Sequence, residues 1–129
     1  MAAPELIDVV TIRVDRFKRW MPQLVRAIAT VGDVSPEALI GPVRTKDLSI
    51  LRQAIVLAAR DVLNKSYPDV GQGLGGRDHT TILHAYRRAQ ERWENDGEFR
   101  QLATVALAIA RTISQRQLFA IEMEPELPL

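Results

Sequence analysis

The fold is decided by the stretch Gly75-Gly76-Arg77-Asp78-His79-Thr80-Thr81, which separates two segments of helical character. The segment before it, Ser66-Tyr67-Pro68-Asp69-Val70, is typical of an N-cap followed by a short helix. After it, Asp78 can cap a long helix whose apolar residues recur at helical spacing, namely Ile82, Ala85, Tyr86, Ala89 and Trp93. A short helix, a glycine turn over residues 73–77 and a second helix that opens with small polar residues predict a helix-turn-helix.

The glycines also match a pattern that is typical of dinucleotide-binding proteins. The string Gly71-Gln72-Gly73-Leu74-Gly75-Gly76 fits G-x-G-x-x-G, but that fingerprint requires a strand immediately upstream within a strand-helix-strand unit. The upstream segment here has the pattern of a helix that ends near Asn64. We therefore interpret the match as accidental; a strand ending at Val70 would revive the nucleotide-binding interpretation.

The segments that precede this motif also carry helical patterns. Across residues 45–66, apolar residues recur every three or four positions and predict one amphipathic helix, with Leu48, Leu51, Ile55, Ala58 and Val62 on its buried face. Ser35 followed by Pro36 predicts the start of a short helix, because serine is a preferred N-cap and proline suits the first helical position. The dipeptide Gly41-Pro42 is expected to end that helix.

The two ends of the chain extend the helical pattern. Residues 6–30 follow helical spacing, with a break expected near Pro22 because proline removes an amide donor, and residues 99–118 form a last apolar segment. No stretch shows the sustained alternation of a strand, so we predict an all-α chain with one compact core. We divide it into an N-terminal helical extension at 1–23, a helix-turn-helix domain at 24–96, a C-terminal helix at 97–121 and an acidic, disordered tail at 122–129.

The composition argues against an enzyme. The chain has no cysteine, which excludes disulfides, thiolate zinc sites and a cysteine nucleophile. His79 and His84 are five residues apart, which separates them by about 140° around a helix and prevents joint ligation of a metal. No serine stands in a recognisable arrangement with a base and an acid. We therefore expect neither catalysis nor a cofactor nor a bound metal.

The charge is unevenly distributed although the net charge is only +1. Residues 44–92 hold nine Lys/Arg against five Asp/Glu, whereas residues 93–129 hold three against six. A basic centre with an acidic end is compatible with a modest nucleic-acid footprint. The start of the chain has no positively charged n-region, and the longest apolar runs are far shorter than the ~20 residues of a membrane span. We expect a soluble, cytoplasmic protein without membrane contact.

The start of the second helix carries the candidate binding residues. In a helix-turn-helix these positions meet base edges in the major groove. Asp78 can accept a hydrogen bond from cytosine N4, and His79 can donate or accept one. The methyl groups of Thr80 and Thr81 can contact a thymine methyl. The alternative is that Asp78 and Thr81 only cap the helix while His79 and Thr80 point into solvent, and spacing alone leaves both interpretations open.

A longer string supports the first interpretation. Gly75-Gly76-Arg77-Asp78-His79-Thr80-Thr81-Ile82-Leu83-His84-Ala85 closely resembles the signature of the C-terminal DNA-binding domain, domain IV, of the bacterial replication initiator DnaA. Arg52-Gln53 resembles the Arg-Gln pair on the family's central helix, and Ser66-Tyr67-Pro68-Asp69-Val70-Gly71 resembles the short helix before the signature. The likeness runs over residues 24–93. It implies an all-α helix-turn-helix bundle of the Trp-repressor/DnaA domain IV type, with extra N- and C-terminal helices.

The resemblance also implies a set of DNA contacts. In the family, the signature residues read the major groove of the initiator's box sequence, and a loop arginine before the central helix enters the minor groove. Carried over to this chain, the base-reading residues are Arg44, as the loop arginine, with Asp78, His79, Thr80 and Thr81. The residues that fall where the family contacts DNA, mainly its backbone, are Arg52, Gln53, Arg60 and Arg77.

The resemblance implies a stand-alone, DnaA-related regulator. We expect it to bind double-stranded DNA at DnaA-box-like sites and to modulate replication initiation or transcription, in the bacterial cytoplasm and in association with the nucleoid, without binding nucleotide. Ile50 and Leu51 stand where the family tends to have a basic residue and a proline, and Leu74 replaces the usual phenylalanine. The change at Ile50 and Leu51 weakens the electrostatic attraction to DNA. It favours an alternative function, a protein-interaction module that contacts its partners through residues 1–32 and 97–129.

The partners expected for this alternative are the initiator DnaA, a regulator of DnaA and the replication sliding clamp. The segment Gln115-Arg116-Gln117-Leu118-Phe119 resembles the Q-x-x-L-F peptide by which bacterial proteins dock on the clamp. In that interpretation Gln115, Leu118 and Phe119 are the clamp-binding residues. The other interpretation is that Leu118 and Phe119 finish the hydrophobic face of the last helix.

Overall fold

A computed structural model describes the backbone of residues 20–123 and the side chains of residues 20–115. Within that range the backbone contains no strand, and its helices are α1 (Trp20–Val31), α2 (Pro36–Ile40), α3 (Lys46–Asp61), α4 (Tyr67–Gly73), α5 (His79–Asn95) and α6 (Gly97–Met123). The all-α prediction is confirmed. The helix before the glycines also removes the condition for a dinucleotide-binding fold, since Val70 lies in α4 and not at the end of a strand.

Helix α3 is the centre of the bundle and contacts each of the other five helices. The periodic pattern predicted one buried face, yet residues 51–59 are all buried. Ala54, Ala58 and Ala59 on this helix are almost completely inaccessible to solvent. Their small side chains let neighbouring helices approach α3 from more than one side. The middle of the helix therefore forms a buried axis, while Lys46, Asp47 and Asp61 at its ends are exposed.

The described part of helix α1, Trp20–Val31, includes Pro22 at its third residue. Trp20 and Met21, which the sequence division assigned to an N-terminal extension, are buried in the same core as Leu24. Residues 1–19 lie outside the described part of the chain.

Helix α6 completes the core. It packs on α3, α5 and α1, and its buried residues follow one another at alternating steps of four and three: Phe99, Ala103, Ala106, Ala110 and Ile113. The helix continues to Met123. The prediction of a disordered tail from residue 122 is therefore wrong for Glu122 and Met123, and residues 124–129 lie outside the described part of the chain.

Four of the described helices begin at side-chain caps, one of them α6, where the Asp96 carboxylate accepts a hydrogen bond from the backbone amide of Phe99. The hydroxyl groups of Ser35, Thr45 and Ser66 accept hydrogen bonds from the backbone amides of Ala38, Leu48 and Asp69, respectively. The starts predicted at Ser35 and Ser66 are confirmed. These caps fix where α2, α3 and α4 begin, and so the length of the loops between them. Among the helices described, none has the length and apolar character that crossing a membrane requires.

Candidate nucleic-acid interface

The turn between α4 and α5 is built on two adjacent glycines. Gly75 and Gly76 both have φ of +80°, a conformation that glycine adopts at little cost and other residues rarely adopt. The backbone amides of Gly76 and Arg77 both donate to the carbonyl oxygen of Gly71, at 3.0 and 2.9 Å. The turn predicted over residues 73–77 is thus confirmed from Leu74 onwards, whereas Gly73 is the last residue of α4. It redirects the chain so that α5 starts immediately after Asp78.

The turn also lies directly against the end of α2. A Cβ atom built on Gly75 would be 1.9 Å from the carbonyl oxygen of Ile40. A similar restriction applies at Gly71, where a Cβ would be 2.1 Å from the carbonyl oxygen of Arg77. Backbone therefore packs on backbone at both positions, and the start of α5 has a fixed place relative to the loop between α2 and α3.

The first residues of α5 face solvent. Asp78 occupies the N-cap position, but its side chain forms no capping hydrogen bond with the helix. Its Oδ1 atom lies 3.0 Å from Nδ1 of His79, and these side chains are 67% and 65% exposed, respectively. Thr80 and Thr81 are exposed as well. Four of the five side chains predicted to read bases, all but Arg44, are therefore brought together on one accessible helix end, without a cap role for the Asp78 carboxylate.

The exposed face of α5 continues beyond these four residues. His84 and Arg87 follow Thr80 at steps of four and three and are exposed, whereas Ile82 and Ala89 on the other side of the helix are buried. Arg88 is also exposed. The face opposite the core is therefore polar and basic over its first three turns, which suits insertion into a groove lined by phosphates.

The predicted minor-groove arginine lies in the loop between α2 and α3. Arg44 is exposed and is preceded by Val43, whose side chain is 57% exposed. Ile40 at the end of α2 is 43% exposed. The sequence interpretation did not single out these two apolar residues, because an isolated exposed apolar residue has no pattern along the chain. Together they give the loop an apolar surface on each side of Gly41-Pro42.

Arg52, predicted to contact the DNA backbone, is buried and bonded to the loop between α2 and α3. Its side chain is 6% exposed, and its guanidinium group donates to backbone carbonyl oxygens at 2.7 to 3.0 Å, those of Ala38, Leu39, Gly41 and Val43. Gln53 is also buried, at 8% exposure. The expectation that Arg52 and Gln53 contact the DNA backbone stays a prediction, and in the free protein both side chains are buried. Arg52 holds the loop that carries Arg44, because a buried guanidinium group must find acceptors for its donors.

Arg77 connects the turn to the same loop. One guanidinium nitrogen donates to the carbonyl oxygen of Gly41 at 2.7 Å, and the other donates to the carbonyl oxygens of Leu74 and, at 3.5 Å, Ile40. The side chain is partly buried. Arg77 thus lies between the two elements that were predicted to read DNA, and its donors are directed into the protein.

Three arginines, Arg44, Arg52 and Arg77, lie near one another around the loop between α2 and α3. Burial, followed by the positive charges of Arg77 and Arg44, lowers the pKa of Arg52. Burial, followed by Arg44, likewise lowers the pKa of Arg77. Among the described side chains, no carboxylate forms an ion pair with any of the three arginines. Three neighbouring cations without an ion-paired carboxylate favour the approach of a polyanion to this surface.

Arg60 lies at the junction of α3, α4 and α5. Its guanidinium carbon is 4.0 Å from the ring centroid of Tyr67 and 5.6 Å from that of Tyr86, and one nitrogen donates to the carbonyl oxygen of Lys65 at 2.8 Å. The Tyr86 hydroxyl donates to Asp61 at 2.5 Å. That hydrogen bond, followed by burial, raises the pKa of Tyr86 to about 12. The arginine is only partly exposed and is held in one place by two rings.

The candidate clamp-binding residues are only partly described. Gln115 is exposed on α6. Leu118 and Phe119 belong to the same helix, but their side chains lie outside the described residues. The sliding-clamp interpretation therefore stays a prediction.

Comparison with known proteins gives a family match. The family model described as bacterial dnaA protein helix-turn-helix matches residues 21–89. Three relatives are chromosomal replication initiator proteins DnaA. The protein of Thermus thermophilus is 38% identical over 80 residues, which cover 62% of this chain and 18% of the relative. That of Lactococcus lactis is 36% identical over 69 residues, which cover 54% and 15%. That of Lactobacillus acidophilus is 28% identical over 100 residues, which cover 78% and 22%.

The chain therefore spans less than a quarter of the length of these relatives. The matched residues include α2, α3 and α4, most of α1 and α5, and the turn at Gly75 and Gly76. The family match covers more than half of the chain and coincides with the element that carries the exposed helix end. This chain belongs to the helix-turn-helix family of bacterial DnaA, whose members bind double-stranded DNA.

Proposed function

We propose that this chain binds double-stranded DNA at DnaA-box-like sites and catalyses no reaction. The observation that carries the proposal is the placement of two exposed elements, the start of α5 and the Arg44 loop, against each other at the contact between Gly75 and Ile40. Such an arrangement lets α5 enter the major groove while the loop reaches the adjacent minor groove. Recognition of DNA through two adjacent grooves requires a fixed distance between the start of α5 and the Arg44 loop.

The major-groove role falls to the exposed start of α5. His79 and Thr80 are directed away from the core and meet base edges, and Asp78 accepts from a cytosine amino group. When His79 is neutral, its contact with Asp78 places the ring proton on Nδ1, so that Nε2 is an acceptor for an adenine or cytosine amino group. Thr81 contributes a methyl group for contact with thymine.

The minor-groove and backbone roles fall to arginines. Arg44 is exposed and lies in a positive potential that favours a narrow, A·T-rich minor groove. Arg60 is the candidate for a phosphate contact, because its aromatic neighbours hold it at the junction of three helices. Phosphate contacts fix the register of the protein on the duplex, and base contacts specify the sequence.

The names of the relatives support a proposal for the biological role. Because they are chromosomal replication initiators, we place this chain in the bacterial cytoplasm, in association with the nucleoid, where it modulates replication initiation or transcription. The shared domain spans less than a quarter of the length of these relatives. We therefore propose for this chain only the DNA binding of that domain and none of the relatives' other activities.

The second candidate function is a protein-interaction module that binds the initiator, its regulator or the sliding clamp. Two observations favour it. Ile50 contributes no charge at a position of α3 where the resemblance leads one to expect a basic residue. Val105, on α6 and outside the helix-turn-helix, is 42% exposed. In this case the fold would be retained without sequence-specific DNA binding.

A titration against two duplexes distinguishes sequence-specific DNA binding from the protein-interaction module. One duplex contains the box sequence recognised by the initiator, the other a scrambled version of the same composition, and each is measured at two salt concentrations. We expect tighter binding to the box duplex at both salts and weaker binding to both duplexes at the higher salt. Equal affinity for the two duplexes would favour the interaction module.

A further inference from the structure

We propose that Arg77 is a positioning residue that holds the Arg44 loop against the turn before α5, and that this contact sets the discrimination of A·T-rich sequence. This role replaces the phosphate contact expected for Arg77 from the resemblance. The inference rests on the proposed DNA-binding function for its effect on specificity, but not for the contact itself, which exists within the free protein.

The first support is the direction of the Arg77 donors. They are bonded to carbonyl oxygens on both sides of the junction: Gly41 and Ile40 belong to the end of α2 and its loop, and Leu74 belongs to the turn. Gly41 is three residues before Arg44. A side chain that joins these two backbones limits how far they can move apart, and the planar guanidinium fork makes the geometry specific.

The second support is a shared acceptor. The carbonyl oxygen of Gly41 accepts from Arg77 at 2.7 Å and from Arg52 at 3.0 Å. Arg52 also binds the carbonyl of Val43, the residue next to Arg44, at 2.8 Å. The loop is therefore bonded on one side to the central helix α3 and on the other to the turn. Arg52 fixes the loop to the core, and Arg77 fixes it to the recognition helix.

The third support is the electrostatic cost of the arrangement. Arg44 and Arg77 are close enough for the charge of the first to lower the pKa of the second. Like charges would move apart if the backbone allowed it, and no carboxylate among the described side chains separates them. The hydrogen bonds to the loop carbonyls hold Arg77 near Arg44 against this repulsion.

Fixed placement matters for specificity. An arginine in the minor groove senses groove width and A·T content only if its distance from the helix in the major groove is constrained. With a free loop, Arg44 could reach phosphates on either side of the groove in any sequence. Loss of Arg77 should therefore reduce discrimination in the A·T part of the site by about as much as loss of Arg44 itself.

The experiment combines backbone dynamics with a double-mutant cycle. Arg77→Met removes the donors at similar side-chain length, and Arg111→Met, at an exposed position of α6, is the control that changes the net charge equally. In the free protein, the heteronuclear NOE of the Val43 and Arg44 amides should fall in Arg77→Met and stay at the wild-type value in Arg111→Met. An unchanged loop in Arg77→Met overturns the positioning role, whether or not the protein binds DNA.

The second part of the experiment measures affinity for the box duplex and for a duplex altered only in the A·T part of the site. Arg44→Ala and Arg77→Met should each reduce the ratio of affinities by about tenfold, and the double variant should reduce it no further, because Arg77 acts through Arg44. Additive losses, with a salt slope that falls by about two in the double variant, would mean two independent DNA contacts and would overturn the inference. A wild-type protein that does not distinguish box from scrambled duplex would overturn the proposed function and the specificity role with it, while leaving the loop measurement to decide the contact.

Arg77→Lys adds a test of geometry against charge. Lysine keeps the positive charge but cannot bridge carbonyls on two sides with a planar fork. The positioning role predicts that the loop NOE and the A·T discrimination stay well below those of the wild type. Near wild-type values for both would indicate a charge contact and would contradict the inference.

Discussion

Gly75 and Ile40 are in backbone contact: a Cβ atom on Gly75 would lie 1.9 Å from the carbonyl oxygen of Ile40. This contact determines where the turn of the helix-turn-helix meets the end of α2. Gly76, the next residue, has the same φ of +80° but no neighbouring atom within 4 Å of a Cβ at that position. The two glycines therefore separate the effect of backbone conformation from that of close packing.

Substitution of these glycines should have unequal effects. Gly76→Ala should cost about 1 kcal/mol, since the left-handed conformation is the only penalty, and Gly76→Val should cost more because of its branched side chain. Gly75→Ala should cost at least about 2 kcal/mol, because the turn must also move away from Ile40. Urea denaturation of the three variants measures these differences. Equal midpoints for Gly75→Ala and Gly76→Ala would refute this account of the turn.

Arg52→Met should destabilise the protein by about 3 kcal/mol, because four carbonyl oxygens in a largely buried place each lose a hydrogen bond, and only that of Gly41 keeps another donor, Arg77. Arg88→Met, at an exposed position of α5, is the matched control and should change the free energy of unfolding by less than about 0.5 kcal/mol. Chemical denaturation provides the measurement. If both substitutions are equally mild, Arg52 does not stabilise the loop.

The Tyr86–Asp61 hydrogen bond should make stability depend on alkaline pH. The pKa of Tyr86 is raised to about 12 in the folded chain, from about 10 in an unfolded one. A raised pKa means that this contribution is fully present below about pH 10 and is lost as the pH rises towards 12. Between these pH values the wild type should lose stability more steeply than Tyr86→Phe. Parallel pH profiles of the melting temperature would exclude this contribution.

Arg60→Ala should weaken binding to the box and scrambled duplexes alike and lower the salt slope by about one, as expected for one lost phosphate contact. The control is Arg111→Met, on α6, which should leave the slope unchanged. Titration at several salt concentrations gives both slopes. A loss confined to the box duplex would instead assign Arg60 to base reading.

Much of the architecture could be predicted because it depends on local patterns. The serine caps at Ser35 and Ser66, the glycine turn and the helical spacing of apolar residues each act over a few positions. The role of Arg52 could not be predicted in this way. Its acceptors lie nine to fourteen residues earlier in the chain, and nothing along the sequence distinguishes an arginine that binds loop carbonyls from one that binds phosphate.

The surroundings of Arg60 were missed for a similar reason. Tyr67 and Tyr86 lie on two different helices, so they meet Arg60 only through tertiary packing. The exposed start of α5 could be predicted because it needs only a turn, a helix start and a polar sequence. The parts of the candidate site that a single element forms could therefore be predicted from the sequence. The parts that form only where several helices pack together could not.

The central claim is that the exposed start of α5 reads bases, and the most direct measurement is the affinity of wild type and His79→Ala for box and scrambled duplexes. Gln90→Ala, at an exposed position three turns further along α5, is the control. We predict that His79→Ala costs about 1 to 3 kcal/mol on the box duplex and much less on the scrambled one, while Gln90→Ala changes neither. Wild-type protein that binds both duplexes equally, with His79→Ala altering neither affinity, would contradict the claim and leave the protein-interaction function in its place.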